Sequence, residues 1–293
     1  VGSEMCIRDR RGTMQLNLDL PKYKWKEILK YLTPHREESE YVAMLCTAIE
    51  MTKEGMTLNQ KIYTFLVSNN LPPHYLPPRA ATWKPDKQNM GSVNTLPALK
   101  KGYITFGTLT RSIRINDRVI KVWAEILKRV KSSKLIINSR DFDHYKTKRM
   151  IISKFREYEV DSDCLEIGYQ SPPWDLMRQI DIALDCFPHN CGTTLYEHLF
   201  MGNPFITFSN RPGVGKIGSS ILSTLGHSEW VATSEDEYIQ KAVNLASDIE
   251  KLNIIRSSLR QEMEQSPIMD HKGFVKKLEK VYKQMWENYL NKK

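Results

Sequence analysis

Beyond Gly102, apolar residues fall into short closed runs that alternate with longer amphipathic stretches. Tyr103–Gly107, Lys134–Asn138, Leu165–Tyr169, Ile182–Asp185, Pro204–Phe208 and Glu229–Ala232 read as strands. Between them, Asn116–Val130 places Val119, Val122, Trp123, Ile126, Leu127 and Val130 at helical spacing. Lys146–Tyr158 and Trp174–Gln179 read as helices, and further helices open at Thr193 and near Val214. This alternation predicts an α/β fold with a Rossmann-like, doubly wound parallel sheet. Ligands of such sheets bind beyond the carboxyl ends of the strands, where the Gly107 and Asn190–Thr194 loops fall.

The pattern upstream is different. Trp25–Leu32, Ser39–Lys53 and Leu58–Ser68 have helical periodicity with no strand candidate among them. Leu71–Pro78 is proline-rich, and a polar segment runs on to Leu99. The expected organisation is a non-native or disordered leader over 1–13, a small helical region over 14–70, an extended linker over 71–101, and the sheet-bearing lobe over 102–293. Val1–Arg10 fits neither pattern and resembles translated adapter sequence at the edge of an open reading frame.

Composition narrows the partners. No apolar run reaches the length of a membrane span, so a membrane partner is not expected. The five cysteines lack metal-ligand spacing and no secretory leader precedes them, which points to a reducing cytoplasm. Lys and Arg outnumber Asp and Glu by 43 to 34, enough to favour phosphate-bearing ligands. The basic residues are spread among acids without an aromatic-laced stripe, so nucleic acid is not an expected partner.

The candidate chemistry lies in Leu184–Glu197. A buried strand gives way to a polar turn, and a helix then opens at Gly192-Thr193-Thr194 with Glu197 one turn on. The first N–H groups of a helix have no intrahelical partner, and the helix dipole adds positive charge there. Small residues admit phosphate oxygens, the two hydroxyls add donors, and Glu197 is placed to accept from a ribose. Thr is also a common cap, and Glu suits any first turn, so the tripeptide alone does not decide the matter.

The whole set of segments resembles a family. Tyr103–Gly107, Arg114-Ile115-Asn116, the Trp123 helix, Asp181–Asp185, Asn190–Thr194, Leu199–Pro204 and the tail from Ser266-Pro267 to Trp286 resemble the C-terminal catalytic lobe of O-GlcNAc-transferase-like (SPINDLY-like) glycosyltransferases. The resemblance implies a GT-B fold whose C-terminal lobe holds a UDP-sugar, with inverting transfer to a protein Ser or Thr hydroxyl. It places Thr193 and Thr194 on the donor diphosphate, Glu197 on the ribose and Arg114 near the phosphates. Arg111 stands where better-known members have Gln. Gln170, Asn190, Gly192 and Lys216 complete the expected donor set.

There are departures. Gln170–Trp174 lacks the Lys and His that the family commonly has after the third strand, and Gly192 stands where some members have His. The N-terminal lobe, with its acceptor-side histidine, is not recognisable before Gly102, so no catalytic base can be named. Cys186 and Cys191 are not C-x-x-C and read as incidental, His198 as packing or surface, and Gly213–Lys216 as an incomplete P-loop. The expected partners are a UDP-sugar and a protein acceptor, with no cofactor and no metal. The runner-up is a non-catalytic nucleotide-sugar- or protein-binding module derived from the same family.

Overall fold

Strands covered on both faces are largely apolar along their length, and four of the six strands that build the sheet here are mostly or wholly buried. The computed structural model describes residues 83–209 and 213–276, together with two-residue strands β1 (Ile7–Arg8) and β2 (Met14–Gln15), which pair antiparallel. The helices expected over 14–70, the linker as far as residue 82 and the tail Tyr282–Trp286 lie outside the described residues. The chain divides into two units, 1–81 with 281–293, and 82–280; the six-stranded sheet lies wholly in the second.

That sheet comprises β3 (Thr105–Leu109), β4 (Lys134–Asn138), β5 (Leu165–Gly168), β6 (Ile182–Leu184), β7 (Phe205–Phe208) and β8 (Val231–Ala232). Every pairing is parallel and the order is β5-β4-β3-β6-β7-β8. The chain winds outward from β3 to β5, returns to β6 on the other side of β3, and winds out again to β8. The reversal between β3 and β6 is the switch point, the place where sheets of this kind form a ligand crevice between the two diverging loops.

Helices α3 (Asp117–Arg129), α4 (Tyr145–Glu157), α5 (Trp174–Met177), α6 (Thr193–Phe200), α7 (Ile217–Leu225), α8 (Glu235–Ser247) and α9 (Ile249–Gln265) follow later than α1 (Lys87–Met90) and α2 (Pro97–Lys101). Asn116 starts α3 by accepting from Val119 N–H, and the helix buries Val119, Val122, Trp123, Ile126 and Leu127. Ser234 and Asp248 cap α8 and α9 in the same way.

Three boundaries differ from expectation. β3 begins at Thr105 rather than Tyr103, because Gly102 closes α2 in the left-handed conformation (φ 74°) and Tyr103 and Ile104 carry the chain into the sheet. A 3-10 turn over Gly213–Gly215 delays α7 to Ile217, and another over Ser228–Trp230 shortens β8 to two residues. Within the stretch expected to be an extended linker, residues 83–101 instead form a strap holding α1 and α2, with Met90, Leu96 and Ala98 buried. Trp83 stacks on Tyr196 of α6 (6.0 Å, 9°) and meets Phe200 edge-on, while the Arg260 guanidinium lies 4.3 Å over the Phe200 ring.

The amino-terminal edge of the sheet is held by two buried charges. Asp181, just before β6, accepts from Ala98 N–H at 2.9 Å and Thr105 N–H at 2.8 Å. Arg256 of α9 is 1% exposed and donates to Asn94 O and Oδ1, Ile180 O and Asn203 Oδ1 at 2.6–2.9 Å. Burial lowers its pKa only to about 10, so it stays cationic at neutral pH. Asn203 also donates to Met177 O and to His198 Nδ1, and burial drives His198 down to about 3, leaving it a neutral core residue. One guanidinium thus joins the strap, the entries of β6 and β7, and α9.

Arg256→Met keeps the side-chain bulk but leaves two buried acceptors, Ile180 O and Asn203 Oδ1, and two half-buried ones on Asn94 without their donor. The expected loss is about 3 kcal/mol or more of unfolding free energy, read as a lower urea midpoint at unchanged slope.

Candidate functional site

The candidate site is built on the loop that leaves β6. Asp185 is fully buried; its Oδ1 accepts from Cys191 N–H and its Oδ2 from the Thr207 hydroxyl, each at 2.6 Å. Tyr238 of α8 donates its hydroxyl to the Asp185 carbonyl at 2.9 Å. Burial without a cationic partner holds the Asp185 carboxyl well above the ordinary range. Asn190 completes the scaffold. Its amide donates to Cys186 O (2.9 Å) and Phe208 O (3.4 Å) and accepts from Gly218 N–H (3.3 Å), while its own N–H reaches Val214 O (3.0 Å). Gly218 is required at that point, since a Cβ would overlap Thr207 Oγ1 and crowd the Asp185 carboxylate.

This scaffold delivers Gly192 to the start of α6 with no side-chain cap on the helix. Leu195, Tyr196, Leu199 and Phe200 are buried, whereas Thr193 is exposed and Thr194 and Glu197 are half-buried. The positive end of the α6 dipole, two hydroxyls and a carboxylate therefore share the side away from the core.

Across the switch point, the loop leaving β3 carries Thr110, Arg111 and a 3-10 turn over Ser112–Arg114. Asp141, at the end of β4, accepts from Ser112 N–H (3.0 Å) and Oγ (2.6 Å), and these bonds lower its pKa. Two side chains reach over to the β6 loop: Asn116 donates to Phe187 O at 2.6 Å, and Arg114 Nη2 lies 3.3 Å from His189 Nε2. Arg114 Nε is buried with no partner among the described residues, so part of the guanidinium's donor capacity is unused.

Of the nine residues expected from sequence, six meet at this end of the sheet: Arg111 and Arg114 on the β3 loop, and Gly192, Thr193, Thr194 and Glu197 at α6. Lys216 is exposed just before α7, on the neighbouring β7 side. Asn190 is at the right place in another role, since its amide is spent on backbone groups inside the fold. Gln170 follows β5, the edge strand, about 14 Å from β6 at the usual strand spacing. Its backbone pairs reciprocally with the Asn138 amide (2.8 and 3.1 Å) and its side chain is exposed. His189 and Asp141 were not in the expected set: His189 is readable in sequence as a loop histidine within reach of a phosphate or sugar, but such residues are usually solvated, and Asp141 leaves only a polar residue beyond a strand end. Cys186 and Cys191 are unpaired by disulfide and buried within the loop. Among the described residues, no group of three His, Cys, Asp or Glu side chains is placed to hold a metal ion, and no helix is long and apolar enough to cross a membrane.

The profile of the family described as Glycosyl transferase family 41 matches residues 34–278, and so begins well upstream of Gly102, where the sequence resemblance begins. Probable UDP-N-acetylglucosamine–peptide N-acetylglucosaminyltransferase SPINDLY of Eustoma exaltatum is 36% identical over 203 residues, 68% of this chain and 22% of that protein. Its counterpart in Solanum lycopersicum is 34% identical over 205 residues, 69% of this chain and 22% of that protein. The chain thus spans about a fifth of the length of these relatives. Among solved structures, a mutant of the Thermobaculum terrenum O-GlcNAc transferase superposes with a TM-score of 0.64 at 27% identity, over 72% of this chain and 40% of that one. Anabaena HepE in complex with UDP and glucose gives a TM-score of 0.51 at 12% identity, over 83% of this chain and 66% of that one, a likeness of fold.

The raised pKa of Asp185 sets a pH dependence. A carboxyl whose folded pKa exceeds its unfolded value of about 3.9 stabilises the fold below that value and loses the contribution as pH rises. Asp185→Asn can still accept from Cys191 N–H and can donate to Thr207. Its stability relative to the parent protein is expected to rise as pH increases above about 4 in urea unfolding. A pH-independent difference would refute the neutral carboxyl.

Proposed function

We propose that this chain, which belongs to glycosyl transferase family 41, binds the diphosphate of a UDP-sugar at the switch point and serves as the donor lobe of a protein-directed, inverting glycosyltransferase. The observation that carries this reading is the uncapped start of α6, with Thr193, Thr194 and Glu197, set across the crevice from Arg114. In glycosyl transfer from such a donor, negative charge grows on the leaving diphosphate as the sugar–oxygen bond breaks. Groups that meet that charge more strongly in the transition state than in the ground state accelerate the step. The α6 N–H groups, the two hydroxyls and the Arg114 fork fit that task without a metal. Glu197 orients the ribose, and Arg111 and Lys216 add positive potential at the rim.

The names of the curated relatives specify N-acetylglucosamine and a peptide acceptor, so UDP-N-acetylglucosamine is the first donor to try and protein hydroxyls the first acceptors. We place the protein in the cytoplasm, acting with neither cofactor nor metal. Those transferase names do not favour the runner-up, a non-catalytic binding module; transfer of labelled sugar to protein separates the two readings.

Calorimetric titration with UDP tests the donor site. Saturable binding is expected. Thr194→Val should weaken it by about tenfold through loss of one hydrogen bond, with the thermal midpoint unchanged. Arg114→Leu, which removes a charge-assisted contact, should weaken it by about a hundredfold. Wild-type affinity in both variants would overturn the assignment.

A further inference from the structure

We propose that the outer face of α4 is a docking surface for an acidic segment of a partner protein. The helix buries Ile151 and Phe155 and packs against α3 and β5. Along its other side Tyr145, Lys148, Arg149, Ile152, Ser153 and Arg156 recur at helical spacing and line a cavity of about 320 Å³. From Tyr145 to Arg156 this side extends about 16 Å, the reach of about five residues of extended chain. Elsewhere in the sequence basic residues are mixed with acids, but this face carries three cations and no acid. Lys154 is paired with Asp117 of α3, and Glu157, the one acid of α4, is its last residue. Among the described residues Lys148, Arg149 and Arg156 form no ion pair, and Arg156 reaches only the Ser162 hydroxyl, at 3.4 Å. Cations gathered this closely repel one another, so an incoming carboxylate relieves that repulsion as well as gaining its own contacts.

Charge selects an anion, and the rest of the cavity selects among anions. Ile152 is half-buried between the cations and offers an apolar contact that a phosphodiester backbone cannot use. Tyr145 is 68% exposed, but the Arg149 guanidinium lies 5.5 Å over its ring, and no second aromatic lines the cavity. The face therefore lacks the row of open rings on which successive bases stack. A polypeptide with Asp or Glu on either side of an apolar side chain meets both features. Its carboxylates pair with Lys148, Arg149 and Arg156, and its apolar group rests on Ile152 and the edge of Tyr145. Tyr145 follows the turn in which Asp141 holds Ser112 of the β3 loop, so this surface ends at the same edge of the sheet as the candidate site.

The test is fluorescence anisotropy of the whole chain with a labelled peptide that sets Asp and Glu around a single Leu. Saturable binding is expected, weakening as salt is raised. Combining Lys148→Glu with Arg149→Glu should weaken it by about tenfold or more. Combining Lys100→Glu on α2 with Lys251→Glu on α9, both exposed, makes the same change in net charge and should leave the affinity within about twofold of the parent. A peptide with Gly in place of Leu should bind several-fold more weakly, which tests the apolar contact without altering the protein. Both variants change exposed or half-exposed charges, and unchanged thermal midpoints confirm that they fold. No saturable binding to the folded parent, or an equal loss in the two variants, would overturn the proposal. So would tighter binding of single-stranded RNA or of phosphatidylserine vesicles with the same sensitivity to Lys148→Glu and Arg149→Glu, since the face would then serve another class of partner.

Discussion

The arrangement at the switch point depends on one buried, uncharged-partner carboxyl. Asp185 sits where β6 ends, and its two oxygens engage groups on different elements: the Cys191 N–H two residues before α6, and the Thr207 hydroxyl of β7. Burying a carboxyl is unfavourable unless its lone pairs are used, so the loop has little freedom to rearrange without losing both bonds at once. Asn190 repeats the device with its amide, joining the β6 loop to β7 and α7. The start of α6 is thus fixed from beneath by side chains that face into the fold.

Arg256 and Asp181 do comparable work at the other edge of the sheet, where the strap, β6, β7 and α9 converge. Between these two anchored layers the apolar strands need only fill space, and four of the six are short and almost wholly buried. Backbone ladders give the sheet its order. Side-chain-to-backbone bonds at both ends determine where its loops go, and those loops carry the candidate site.

Much of this was legible in the chain. Apolar runs located all six strands, and the small, hydroxylated start of α6 after Ile182–Leu184 was readable as the opening of a helix at a strand end. Strand order was not legible, because a hydrophobic run reports its burial and not its neighbours. Gln170 therefore looked eligible from its place in a family segment, although β5 lies at the sheet edge. Asn190 was misjudged for a related reason: sequence shows a polar side chain in a loop but not that backbone groups already consume it. Residues 83–101 read as linker because prolines and polar residues dominate their surroundings, while the anchors that fold them down, Trp83, Met90 and Leu96, are widely spaced.

The strap also bears on where this polypeptide can be cut. A shortened chain starting at Gly102, the boundary that sequence periodicity suggests, would strip the aromatic cover from Tyr196 and Phe200 behind α6. It would also deprive Asp181 of the Ala98 N–H and Arg256 of both Asn94 acceptors. Dissection by limited proteolysis should accordingly spare the strap, and the smallest piece able to fold alone has to reach back at least as far as Trp83.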